Sequence, residues 1–169
     1  MIDMQYMVKM PKQRVRLLRK NNEKLKKHFE EITNVTLHLH EDEVWFETDD
    51  PIEAMSIKQV LIAFARGFDL DDALNLLDDR YGLEIINITD YVGKSKSRLI
   101  TMRGRIIGTE GKTKRAIENA ANVKIAVYGK TVSILGRWEN IPKARRAIEM
   151  LLEGRMHKTV YRWLELQGG

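Results

Sequence analysis

Gly104-Arg105-Ile106-Ile107-Gly108-Thr109-Glu110-Gly111-Lys112-Thr113-Lys114-Arg115 decides how this chain is read. Two glycines three apart are entered by two isoleucines and left through a lysine-rich helix start. Glycine tolerates φ > 0 and lets the backbone approach a ligand closely, while the amides that open the next helix point outward as anion donors. The expected guest is a phosphate. Gly111-Lys112-Thr113 resembles the end of a nucleotide-binding P-loop, but that loop needs a glycine five residues before Gly111, and Ile106 stands there. The plain alternative is a tight turn between two helices.

The 169 residues allow one domain of average size or two small ones, and 43% apolar content is enough to fill a core. The absence of cysteine excludes disulfides and thiolate metal sites. The longest apolar run, Val60 to Ala65, is far too short to cross a bilayer, and the N-terminus has no signal-peptide core, so no membrane and a cytoplasmic location are expected. The net charge of +5 hides an asymmetry: residues 1 to 90 hold 12 Lys and Arg against 18 Asp and Glu, and residues 91 to 169 hold 17 against 6. The second half is therefore +11 and points to a polyanionic partner. Nucleic acid is favoured over membrane because no amphipathic helix joins Lys and Arg to an exposed apolar face. Within the acidic half, Lys9 to Lys27 is a basic island of nine cations with Glu23 alone among them.

Sliding the chain against itself by 88 positions pairs Lys24-Leu25-Lys26-Lys27-His28-Phe29-Glu30 with Lys112-Thr113-Lys114-Arg115-Ala116-Ile117-Glu118, and Asn34-Val35 with Asn122-Val123. Apolar positions stay in register through Leu37 with Ile125, Leu39 with Val127, Val44 with Val132 and Phe46 with Ile134. This predicts a duplicated domain. In the second copy Thr113, Ala116, Ile117, Ala120 and Ala121 give a helical stripe, then Val123, Ile125 and Val127 alternate into a hairpin that turns at Tyr128-Gly129-Lys130 and returns from Val132 to Leu135. The first copy matches with Val35-Leu37-Leu39 and Val44-Trp45-Phe46. Closing helices are expected from about Ile52 to Arg66 and Ile141 to Leu152, the latter with Lys143, Arg145 and Arg146 outward. Opening strands are expected over Gln5 to Lys9 and Leu83 to Ile88. A helix from Asp71 to Asp79 joins the halves, and Lys94 to Arg103 fits a basic helix or a loop equally well. The predicted class is α+β, with helices packed against a three-stranded antiparallel sheet in each copy.

That order, with the glycine loop between two helices, resembles the type I KH domain, an RNA-binding module whose GXXG loop clamps the backbone of about four nucleotides. The resemblance implies that Ile106 and Ile107 anchor the helix before the loop, that Gly108 and Gly111 bring amides to phosphates around Thr109 and Glu110, and that Lys112, Lys114 and Arg115 supply charge. It also implies an apolar groove floored by Ile107, Ile117 and Ile125, so that the expected RNA-binding set is residues 104 to 115, Gly104 and Arg105 through Thr113 to Arg115, with Ile125. In the first copy Lys20-Asn21-Asn22-Glu23 replaces the loop. Residues 1–80 are accordingly expected to form a degenerate KH domain, a scaffold or docking surface with secondary RNA contacts from Arg14, Arg16, Arg19 and Lys20, and residues 81–169 an intact one with a helical tail.

Together with Tyr128-Gly129-Lys130-Thr131-Val132 and the tail His157-Lys158-Thr159-Val160-Tyr161-Arg162-Trp163-Leu164-Glu165, the chain resembles the archaeal relatives of the partner-of-Nob (Pno/Dim) ribosome-assembly proteins. The resemblance implies binding near the 3′ end of small-subunit ribosomal RNA, with the Nob endonuclease and the alpha subunit of translation initiation factor 2 as partners and no cofactor. Its preference for RNA over DNA rests on the family alone. Two rivals stand beside it. An enzyme is disfavoured because His38 and His40 lack a third ligand at a suitable spacing and no nucleophile–base set exists. A protein-interaction adaptor could use the acidic half and Trp45, Phe46, Tyr161 and Trp163, although such aromatics are more often core.

Overall fold

The computed structural model describes residues 3–167, and the chain divides after Asp79 into two compact units. The first contains β1 (Met4–Lys9), α1 (Lys12–Thr33), β2 (His38–His40), β3 (Glu43–Thr48), α2 (Pro51–Ala65) and α3 (Leu70–Leu74), with a 3₁₀ turn at Asn75–Leu77. The second contains β4 (Tyr81–Asn87), α4 (Thr89–Val92), α5 (Lys96–Ile107), α6 (Lys112–Ala121), β5 (Lys124–Tyr128), β6 (Thr131–Arg137), α7 (Ile141–Leu152) and α8 (His157–Gln167). Each unit has one antiparallel three-stranded sheet, in the orders β1-β3-β2 and β4-β6-β5, so the return strand of the hairpin is central in both. The expected α+β class with helices on three-stranded sheets is what the chain forms.

Local chemistry sets the element ends. The Asp50 carboxylate caps α2, accepting from the amides of Ile52 at 2.9 Å and Glu53 at 3.4 Å, and Pro51 opens the helix where its missing N–H costs nothing. The Ser95 hydroxyl accepts from Arg98 N–H at 3.2 Å, which resolves the ambiguous basic stretch as helix α5. The Asp-rich helix expected over Asp71 to Asp79 is shorter: α3 ends at Leu74, and Asp78 is already extended at φ −90°, ψ 123°. The strand expected from Val35 begins only at His38, and the Leu37 N–H before it goes to the Glu30 carboxylate at 2.7 Å.

The duplication extends to hydrogen bonds. Asn34 and Asn122 end their helices in the left-handed conformation, φ 58° and 55°, returning their N–H to Glu30 O and Glu118 O. Glu118 then accepts from Ile125 N–H at 2.9 Å, as Glu30 does from Leu37, and each carboxylate also pairs with the lysine one turn earlier, Lys114 at 3.5 Å and Lys26 at 3.2 Å. An arginine clasps the end of the closing helix in both units, although the two arginines stand 91 positions apart and are not related by the 88-residue offset. Arg14 donates to Phe64 O at 2.8 Å and Phe68 O at 2.7 Å; Arg105 donates to Leu151 O at 2.8 Å and to Arg155 O, the carbonyls 87 positions further on. The core of the second unit is drawn from both layers, with Ile106, Ile117, Ile134, Ala144, Ile148 and Leu151 all fully buried.

Candidate nucleic-acid interface

The last turn of α5 runs into Gly108, a 3₁₀ turn covers Thr109–Gly111, and α6 starts at Lys112. Gly108 has φ 76°, ψ 171°, a region held almost only by glycine. A Cβ there would stand 2.2 Å from Thr113 Oγ1 and 2.7 Å from Thr113 N. Gly111, at φ 77°, ψ 12°, differs: its Cβ would meet only the tip of Arg115, at 2.9 Å from Nη1. The Arg115 guanidinium is therefore folded back along the loop. Thr109 and Glu110 are exposed, and Glu110 also lies left-handed at φ 55°.

The amides available to an anion are not those of the glycines themselves. Gly108 N–H is bound to Gly104 O at 2.8 Å, Gly111 N–H to Gly108 O at 3.1 Å, and Lys112 N–H to Thr109 O. The N–H groups of Thr109 and Glu110 remain for a ligand, beside the start of α6, which no side chain caps. Lys112 and Arg115 are exposed beside them, while Lys114 leans on Glu118. One acidic residue, Glu110, faces this cluster from the loop.

Four expected site residues have other positions than the groove model required. Arg105 is committed to the carbonyls of Leu151 and Arg155 and serves the fold, and Thr113 is 2% exposed with its hydroxyl bonded to Tyr161 at 2.9 Å. Ile106 is fully buried as an anchor, whereas Ile107 is half-buried at the surface. Ile125, 3% exposed, and Ile117, fully buried, belong to the core, so they set the position of β5 and α6 from beneath and offer no floor of their own. Ile107, half-buried, is the apolar side chain that leads directly into the loop. Gly104 is exposed within α5, and a Cβ there would meet nothing within 4 Å.

In the first unit the corresponding loop follows another path. Lys20 keeps an ordinary extended backbone at φ −64°, ψ 149°, and Asn21, Asn22 and Glu23 are left-handed at φ 53°, 56° and 60°. Lys20 therefore does not follow the glycine-only path of Gly108. The Glu23 carboxylate lies 4.0 Å from Lys26. Of the cations considered for RNA, Arg14 clasps α2 and Arg19 donates to Leu39 O at 2.9 Å, which leaves Arg16 and Lys20 exposed. His38 and His40 are exposed on β2, and no group of three or more His, Cys, Asp or Glu that could hold a metal occurs among the described residues. Phe46 is core and Trp45 half-buried, its indole N–H donating to Glu43 at 3.1 Å.

Tyr161, expected as a possible docking aromatic, and His157, expected only as part of the helical tail, instead reach the loop from α8. His157 Nε2–H donates to Arg105 O at 2.8 Å, and the two rings stack with centroids 6.2 Å apart. The signal was there: His157, Val160, Tyr161 and Leu164 recur at helical spacing.

The family model of the second PNO1 KH domain, described as a eukaryotic-type or type I KH domain, matches residues 82–167. A KH domain-containing protein of Methanocaldococcus jannaschii is 37% identical over 163 residues, covering 94% of this chain and 71% of that protein. The chain belongs to the PNO1-type KH family. This is a family of nucleic-acid-binding modules, not of known enzymes. The pre-rRNA-processing protein PNO1 of Gibberella zeae is 43% identical over 103 residues, 59% of this chain and 39% of that protein. The chain spans about two fifths of the PNO1 proteins it matches. Among solved structures, one from a complex of a/eIF2alpha, aDim2p and rRNA of Pyrococcus horikoshii superposes with a TM-score of 0.89 at 36% identity, over 99% of this chain and 95% of that one. Dim2p from the same organism gives 0.86 at 36% identity, over 97% and 99%. No helix among the described residues is long and apolar enough to cross a membrane.

Proposed function

We propose that the protein is a single-stranded RNA-binding ribosome-assembly factor that grips a segment near the 3′ end of small-subunit ribosomal RNA with the loop at Gly108–Gly111. The open loop carries this: the exposed residues Thr109 and Glu110 lead directly into the uncapped start of α6 and its exposed cations Lys112 and Arg115. The first unit acts as a degenerate KH domain, since Lys20 replaces the glycine whose backbone only glycine adopts. It serves as scaffold and protein-docking surface, and the alpha subunit of translation initiation factor 2, present in the Pyrococcus complex, and the Nob endonuclease are its partners. RNA is favoured over single-stranded DNA on family grounds.

Fluorescence anisotropy on the full chain with an oligonucleotide of the ribosomal RNA 3′ end tests this. Gly111→Asp, which introduces a carboxylate among the phosphate-binding amides, should weaken binding at least tenfold. About four phosphate contacts should give a slope near −3 in log affinity against log salt. Unchanged binding by the folded variant, or tighter binding of matched DNA, contradicts the proposal.

A further inference from the structure

We infer that α8 is a brace that presets the Gly108–Gly111 loop for RNA, with Tyr161 as a positioning residue acting through Thr113; the inference rests on the RNA-binding function proposed above. The helix touches both sides of the loop. On the entry side His157 donates to the carbonyl of Arg105, three residues before Gly108; on the exit side Tyr161 holds the hydroxyl of Thr113, two residues after Gly111. Thr113 is also the atom group against which Gly108 is pressed, since the missing Cβ would fall 2.2 Å from its Oγ1. A rotation of Thr113 therefore shifts the backbone that faces the ligand. The brace itself is fixed, because Val160 and Leu164 are buried in the core of the unit.

A loop with two glycines has many accessible conformations, and each must be given up on binding unless the free protein already holds the bound one. Restraint on both flanks lowers that entropic cost. The first unit supplies a comparison within the molecule: where the glycines are absent, the position of Thr113 is occupied by Leu25, which has no hydroxyl to restrain.

The test compares full-length Tyr161→Phe, Thr113→Val, Thr113→Ser and the Tyr161→Phe/Thr113→Val double variant with the unaltered chain, by RNA anisotropy, dissociation rate and amide exchange. Loss of one net hydrogen bond's worth of restraint predicts about fivefold weaker binding in each of the first two, expressed as faster dissociation. The double variant should bind no more weakly than either single, Thr113→Ser should bind like the unaltered chain, and Tyr161→Phe should accelerate exchange at residues 109–112 while β6 stays protected. RNA affinity unchanged in Tyr161→Phe, or additive losses in the double variant, overturns the brace. If the unaltered chain fails to bind RNA, the underlying function falls and the brace with it; if it binds and Gly111→Asp does not, while Tyr161→Phe binds normally, only the brace is lost.

Discussion

Replacing Gly108 with alanine should destabilise the second unit by about 3 kcal/mol, and the same change at Gly111 by about 1 kcal/mol, although both glycines have positive φ. The difference comes from ψ and from the neighbours. At Gly108 the backbone, φ 76°, ψ 171°, lies outside the left-handed well open to other residues, which costs about 1–3 kcal/mol for a side chain. The new methyl must in addition displace Thr113, whose backbone nitrogen lies 2.7 Å away and cannot swing aside, a packing conflict of about 1–3 kcal/mol. At Gly111 the backbone sits near the left-handed well, and the sole obstacle is the mobile end of Arg115. Glu23 occupies the same relative position in the first unit at φ 60°, so a side chain is tolerated there. Hydrogen exchange at the slowest amides of β6 reads the second unit separately from the first. Equal losses at the two glycines, or a larger one at Gly111, would refute the assignment of Gly108 as the structural glycine and Gly111 as the accessible one.

Arg105→Lys should destabilise the second unit by about 2 kcal/mol, because a single ammonium cannot serve the carbonyls of Leu151 and Arg155 together; thermal unfolding of the full chain reads the loss. Glu118→Ala should cost about 1 kcal/mol and deprotect the Ile125 amide, which a two-dimensional exchange experiment resolves residue by residue. The Glu139 carboxyl is held below its ordinary value by its own backbone amide and by the Arg137 guanidinium. A depressed folded value means that its small contribution is complete above the usual carboxylate range and fades as the pH falls through it; Arg137→Ala should move the side-chain titration upward in an NMR pH series, and an unmoved titration contradicts the pairing.

The duplicated fold was legible because period and composition carry it. The helical stripe, the alternating hairpin and the 88-residue offset all act through burial, and Phe29, Ile117, Val44 and Val132 are buried where that pattern places them. The glycine loop was legible for a similar reason, since few backbones require glycine. What escaped was side-chain commitment. Arg105 and Thr113 both stand in the expected RNA-binding set, yet Arg105 is a clasp and Thr113, already on the helical stripe, is sealed with its hydroxyl on Tyr161, because both depend on partners about fifty residues away. Likewise the capture of the Leu37 amide by a carboxylate on the preceding helix is a side-chain commitment that strand propensity does not express.

Glu30 and Glu118 have a further effect on how the protein behaves in company. Each takes an N–H at or beside the outer strand of its sheet, Leu37 in one unit and Ile125 in the other, from the side that faces no neighbouring strand. An intruding strand would find that rung of the ladder already filled by a carboxylate, which also carries charge into its path. Open sheet margins invite polymerisation, and these two glutamates blunt them.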